Sequence, residues 1–254
     1  MNIASKLGIV AGSGPLPARL EEACRAAGRD YFVLAIKGHA EAERFADRPG
    51  CWIRLGEAGK GIEFLRAEKV EELVFAGAVR RPSLMELRPD RWTARLLARL
   101  GRAWIGDDAL LSAVVRSVEE EGFRVIAPDS LLKGVLTREG VLGSVAPDQD
   151  SLADIQRGIQ VARSLGAHDI GQAVIVQLGI VLGVEAAEGT NGLIERCAAL
   201  HRKGPGGVLV KIPKPGQDRR IDLPAIGMGT VETSAAAGLR GIAVAAGGAI
   251  MFDV

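Results

Sequence analysis

LGIVAGSGPLPARLEEACRAAGRDYFVLAI, residues 7–36, decides the fold. Leu7–Ala11 is a short apolar run closed by Gly12-Ser13-Gly14-Pro15. Leu16, Leu20, Cys24 and Ala27 then recur on one face at helical spacing, and Gly28 supplies the stop. Tyr31–Ile36 is a second apolar run of strand length. Strand, helix and strand at this spacing predict a parallel α/β unit with a right-handed crossover. Working outward, Gly61–Lys69 reads as helix and Glu72–Ala76 (ELVFA) as a third strand. Asp107–Glu121 places Leu110, Leu111, Val114, Val115 and Val118 on one helical face before Gly122, and Phe123–Ile126 reads as a further strand.

The pattern changes at residues 127–150, which are rich in Pro, Gly, Asp and Ser, with a hairpin expected near Thr137–Gly140. Ser151 opens a helix to Leu165, with Asp154 in a capping-box position. Apolar Val/Ile/Gly-rich segments follow at Ala173–Gln177, Ile180–Ala186, Val208–Ile212, Ile242–Ala245 and Ile250–Phe252. Asn191–Lys203 and Val231–Ala237 read as short helices between them. The expected fold class is therefore α/β: a Rossmann-like parallel-sheet N-terminal domain and a second α/β (α+β) domain, with a ligand cleft between them. The expected boundaries are a nucleotide- or phosphate-binding domain at 1–130, a linker at 131–150 and a second domain at 151–254.

Composition narrows the function. A net charge of +1 gives no general argument for nucleic acid, and 4% aromatic residues leave little for base stacking. No apolar window is long enough to span a bilayer; Ile170–Val184 comes nearest and is broken by Gln172, Gln177 and three glycines. Cys24, Cys51 and Cys197 are odd in number and widely spaced, which fits a reducing cytoplasm and argues against a thiolate zinc site. His39, His168 and His201 are isolated and lack ligand spacing.

Polar residues concentrate in a few places. Lys211–Thr230, KIPKPGQDRRIDLPAIGMGT, brings Asp218, Arg219, Arg220 and Asp222 close together after an apolar run, and Pro213 and Pro215 stiffen the approach. Such a loop is either a solvated turn or a polar site held by a scaffold. The turn Gly12-Ser13-Gly14 opens a helix, where backbone N–H groups favour an anion. A dinucleotide fingerprint would need a glycine where Pro17 stands and an acidic residue where Lys37 stands, so the turn reads as an anion or nucleotide site and not an NAD site. Gly77, Arg80 and Arg81 follow the third strand, at the end of the sheet where ligands bind, and arginines there suit phosphate. Of Asp107 and Asp108 one suffices as a helix cap, and the other is free to reach a ligand. Glu185 and Glu188 flank the end of an apolar strand and suit Mg²⁺ or Mn²⁺. Arg91, Arg95 and Arg99 repeat every four residues beside a stripe of Trp92, Leu96 and Leu100, with Trp104 beyond. That pattern fits a helix lying on anionic headgroups and equally a surface helix with its leucine face in the core.

Taken together, FAGAVRRP, GDDALL, DIGQAVIV, VEAAEGTNGLIER, KPGQDRRIDLPAIG and GLRGIAVAAGGAI, in this order, resemble the UDP-2,3-diacylglucosamine pyrophosphatases of lipid A biosynthesis. The resemblance runs from LGIVAGSGPLP through almost the whole chain. It implies a Mg²⁺-dependent (or Mn²⁺-dependent) hydrolase that cleaves UDP-2,3-diacylglucosamine to UMP and 2,3-diacylglucosamine 1-phosphate by water attack on the α-phosphorus. It makes Asp222, in DLPAIG, the essential catalytic residue. The expected substrate contacts are Gly12, Ser13, Gly14, Gly77, Arg80, Asp108, Gln172, Gly189, Thr190, Lys214, Gln217 and Arg220. The expected metal ligands are Asp222, Glu185, Glu188 and Asp218. A homodimer, peripheral at the inner face of the inner membrane, is also implied. The chain departs from the family's pattern at Asn191, where an aspartate is frequent, and it ends earlier than its relatives usually do. Two other readings remain open: a nucleotide-dependent oxidoreductase on the Rossmann-like domain, and a non-catalytic binder of nucleotide sugars or anionic lipids.

Overall fold

A computed structural model describes residues 5–45, 48–80, 84–101 and 107–252. The chain divides into two compact units. The first is Met1–Lys133 together with Asp218–Ile221; the second is Gly134–Gln217 with Asp222–Val254. The stretch expected as a linker, 131–150, is thus divided at Lys133.

In the first unit, β1 (Leu7–Ala11), α1 (Leu16–Ala26), β2 (Tyr31–Ile36), α2 (Ala42–Phe45), β3 (Gly50–Ile53), α3 (Ala58–Ala67) and β4 (Glu72–Ala76) alternate. They continue into α4 (Leu84–Leu87), α5 (Arg91–Leu100), α6 (Asp107–Glu120) and β5 (Arg124–Val125). The five strands are parallel in the order β3-β2-β1-β4-β5, with Ile9 level with Val33 on one side and Val74 on the other. This is the doubly wound order, and it reverses between β1 and β4, where a ligand crevice belongs. Strands buried on both faces read as continuous apolar runs, which is why LGIVA, YFVLAI and ELVFA stand out. One face carries Phe32, Leu34, Ile62, Leu65, Val115 and Val118, with Ile221 packed against them; the other carries Val33, Ala35 and Phe45. β3 has only four residues on an edge and no clear alternation, so the sequence gives it no signal.

The second unit contains α7 (Gln149–Ala167), β6 (Ala173–Gln177), β7 (Ile180–Val184), α8 (Gly189–Ala198), β8 (Val208–Lys211), β9 (Ala225–Gly227), α9 (Met228–Ala236), β10 (Gly241–Val244) and β11 (Ile250–Phe252). Its sheet is mixed, β10-β8-β6-β7, with β10 parallel to β8 and the other pairs antiparallel. β9 and β11 form a separate parallel pair. Alternation sorts the sheet's two faces. Val174, Val176, Val208 and Val210 pack with Ala162 of α7, whereas Ala173, Ile175 and Leu209 pack with Leu193, Ile194 and Cys197 of α8.

Two expectations are corrected in this unit. No hairpin forms near Thr137–Gly140. Instead Leu136 bridges Ile250, Thr137 N–H donates to Ala249 O at 2.9 Å, and Gly247 N–H donates to Thr137 O at 2.7 Å. The polar run seen in sequence is satisfied by a distant segment. Likewise, Asp148, and not Ser151 with Asp154, caps α7, accepting from Ser151 N–H at 2.8 Å. Asp154, 1% exposed, accepts from the N–H groups of Leu178 and Gly179 at 3.0 and 2.7 Å and so holds the β6–β7 turn.

Candidate functional site

Both units carry their polar residues at strand ends. In the first, Gly12-Ser13-Gly14 follows β1 and Gly77-Ala78 follows β4. Ser13 and Ala78 exchange backbone hydrogen bonds at 2.9 and 3.1 Å, and Ser13 Oγ also donates to Ala78 O. Glycine is required here: a Cβ on Gly12 would stand 2.6 Å from Ala78 O, and Gly77 adopts φ +87° with its would-be Cβ 2.2 Å from Ser13 O. The two glycines therefore serve the stitch between the two turns. Beyond them Pro15 is the N-cap of α1 with no side-chain cap; Pro17 has no N–H, so the Leu16 and Ala18 N–H groups are the ones left for an anion. Arg80 is exposed, and its backbone carbonyl meets His39 Nε2 at 3.2 Å. Arg81 and the Asp108 side chain lie outside the described residues.

Asp218 and Arg220 also belong to the first unit. Asp218 accepts from Arg220 N, Nε and Nη2 at 3.0, 3.0 and 2.7 Å, and Arg220 Nη1 reaches Glu119 of α6 at 2.7 Å. The Arg220 guanidinium holds the Asp218 carboxyl below its usual range. Arg220 is thus spent on two carboxylates, which weakens its case as a phosphate ligand and that of Asp218 as a metal ligand.

In the second unit two chains of contact form. Glu185 is 7% exposed; its carboxylate accepts from Gln172 N–H at 3.0 Å and Thr190 Oγ1–H at 2.6 Å. Gly189, at φ +73°, turns the chain into α8 and lets Thr190 make that contact. Glu188 points elsewhere, into an ion pair with Arg196 at 2.6 Å that lowers its proton affinity. Further along, Lys214 N–H donates to Gln217 Oε1 at 3.0 Å, its ammonium pairs with Asp169, and Gln217 Nε2 donates to Asp222 Oδ2. Asp222 is half-buried, and among the described residues its other oxygen takes no hydrogen bond.

Residues 6–135 match the family model of the LpxI N-terminal domain, and residues 138–254 match that of the LpxI C-terminal domain. The chain belongs to the LpxI family. UDP-2,3-diacylglucosamine pyrophosphatase LpxI of Caulobacter vibrioides is 41% identical to it over 256 residues, covering 98% of this chain and 91% of that protein. A glycinamide-RNase-transformylase T from Mycobacterium tuberculosis overlays with a TM-score of 0.28 at 14% identity, over 72% of this chain and 44% of that one; a likeness so slight carries no argument.

The resemblance read in the sequence implies a divalent cation, and the chain's own residues test that expectation. Among the described residues no group of three or more His, Cys, Asp or Glu side chains is placed to hold a metal ion. Glu188 and Asp218 each serve an arginine, and Glu185 is closed by Gln172 and Thr190. The expected ligand set Asp222, Glu185, Glu188 and Asp218 does not fit a single metal site. One polar residue was not foreseen: Lys211, the last residue of β8, is 7% exposed and donates from Nζ to Ala225 O at 3.0 Å. Its only trace in the sequence is a lysine closing the buried run VLVK.

Proposed function

We propose that this chain hydrolyses the pyrophosphate of UDP-2,3-diacylglucosamine, giving UMP and 2,3-diacylglucosamine 1-phosphate. The observation that carries the reading is the match to both LpxI domains along the chain, with a relative of that name covering 98% of it. The site geometry supports it at Asp222. Gln217 fixes one carboxylate oxygen and leaves the other to accept a proton from water. Water oxygen bonds to the α-phosphorus, the bond from that phosphorus to the bridging oxygen breaks, and the bridging oxygen leaves with the sugar phosphate. Within the first unit, the uncapped start of α1 and Arg80 suit an anion. Among the described residues no three carboxylates gather as a cage for Mg²⁺ or Mn²⁺, so a divalent cation, which would offset the pyrophosphate charge, would have to be held with the substrate's help. A cytoplasmic homodimer, peripheral at an anionic membrane surface, completes the reading.

The test is ³¹P NMR of the purified protein with UDP-2,3-diacylglucosamine in ¹⁸O water, with and without Mg²⁺. Label in UMP is the expected result; label in the sugar phosphate would move the attack to the other phosphorus, and no turnover would overturn the reading. Asp222→Ala should leave melting temperature and ligand binding near those of the wild type and reduce hydrolysis by at least ~10²-fold. A loss below about tenfold would remove Asp222 from the proton-transfer role.

A further inference from the structure

We infer that Lys211 is a positioning residue: from the end of β8 its buried ammonium pins the segment Asp222–Ala225 and so sets where the Asp222 carboxylate stands. What Asp222 does rests on the proposed hydrolysis; what holds it is read from hydrogen bonds and strand register.

Separate elements of the second unit anchor this segment. Gln217 Nε2 donates to Asp222 Oδ2. Ile250 N–H donates to Pro224 O at 2.7 Å, and from Ala225 onward β9 pairs with β11. Lys211 Nζ donates to Ala225 O at 3.0 Å. The backbone contacts are those of any loop entering a strand. The Lys211 contact is not, because a lysine 7% exposed is given to a single carbonyl. Burying an ammonium is costly unless opposite charge or hydrogen bonds offset it.

Strand register supplies the opposite charge. Lys211 is level with Ala173 of β6, and Glu185 N–H donates to Ala173 O at 2.8 Å, so Lys211, Ala173 and Glu185 form a row on one sheet face. It is the face of α8, where Ala173 packs with Leu193 and Ile194 and Thr190 meets Glu185. An alanine in the middle of the row leaves only a methyl group between the flanking charges. Burial pushes the Lys211 proton affinity down, and the carboxylates of Glu185 and Asp222 draw it back up. Neither carboxylate is in ion-pair contact with it among the described residues. That distance matters at Asp222. A direct ion pair would occupy its open oxygen, as Arg220 occupies Asp218. A lysine bonded instead to Ala225 O holds the segment and leaves that oxygen for water.

The experiment pairs steady-state hydrolysis of UDP-2,3-diacylglucosamine with hydrogen-exchange mass spectrometry of the full chain, both well below each variant's melting temperature. Lys211→Met keeps most of the apolar stem and loses the bond and the charge. Its kcat should fall about 10- to 100-fold at unchanged KM, since a misplacement of about 1 Å can cost that much. Peptides spanning residues 222–228 should exchange about tenfold faster or more, because a hydrogen bond from a charged group is gone. Wild-type exchange across 222–228 overturns the inference whatever the kinetics. So does an unchanged kcat in an active protein, and a raised KM at unchanged kcat would make Lys211 a substrate ligand instead. Should Lys211→Met fail to fold, Lys211→Gln, which removes the charge and shortens the donor, takes its place with the same expected and overturning results. A wild type without turnover sinks the proposed hydrolysis; faster exchange at 222–228 in the variant would then still uphold the pinning of Asp222 by Lys211.

Discussion

Carboxylates in this chain differ by what holds them, and that sorts structural groups from reactive ones. Asp218 is locked by Arg220 through four hydrogen bonds, Glu188 by Arg196, and Glu185 by a backbone N–H and a hydroxyl. Among the described residues Asp222 has one amide partner and an open oxygen, the state a proton acceptor needs. The cysteines are at the other extreme: among the described residues none is in a disulfide, and burial pushes the Cys51 thiol up to about 11, which makes it a poor nucleophile. Asp148 gives a pH prediction. Backbone and hydroxyl hydrogen bonds from Ser151, with Arg240, hold it down to about 2. The folded value lies below the unfolded one of about 3.9, so its contribution is complete above that pH and is lost as pH falls toward 2. Asp148→Asn keeps a cap oxygen and removes the titration. The variant's melting temperature should therefore fall less steeply than the wild type's between pH 4.5 and 2.5. Superimposable acid limbs would show that this carboxylate does not contribute.

At the scale of elements, α7 and the β6–β7 hairpin depend on one another through Asp154. Leu178 and Gly179 turn with φ of 51° and 76°, and Asp154 satisfies both N–H groups from the helix. Asp154→Ala should cost about 1–3 kcal/mol, since it strands those donors, and Asp154→Asn should recover part of it. Urea unfolding decides: a midpoint unchanged at constant m would show that water replaces the carboxylate. The same residue shows where sequence reading stops. Asp154 near a helix start reads as a capping group because local spacing is all that a sequence displays; its true partners are more than twenty residues away. The βαβ order from Leu7 to Ala76 was legible because buried parallel strands are continuous apolar runs. β3 and β9, of four and three residues, owe their existence to partners elsewhere in the chain and left no periodic trace. The clustered charges of Lys211–Thr230 mark the loop in which Gln217 meets Asp222. That Asp218–Ile221 joins the first unit while Asp222 joins the second is a matter of tertiary packing, which the sequence does not display.

At the scale of the whole molecule, the near-neutral net charge leaves any attraction to a membrane to local clusters. No described helix is long and apolar enough to cross one. α5 carries the clearest cluster, and its apolar side is already used: Leu96 and Thr93 are buried, and Trp92 packs against the core while its Nε1–H donates to Glu121 at 2.7 Å. The arginines are the side that faces water. Arg91, Arg95 and Arg99 are exposed, with Arg99 reaching Glu120 at 2.9 Å. A lipid surface meeting this helix would be held electrostatically and not by insertion. Each basic residue near an anionic surface contributes about 1 kcal/mol. Reversing all three to glutamate should lower affinity for phosphatidylglycerol-containing vesicles by about 100-fold or more. Raising ionic strength should mimic the loss in the wild type, because exposed charges are screened within a Debye length. Turnover of a short-chain, water-soluble substrate analogue should stay at the wild-type rate. Unaltered vesicle binding would remove α5 from the membrane-facing surface, and an equal loss on soluble and vesicle-bound substrate would place the arginines in substrate recognition instead.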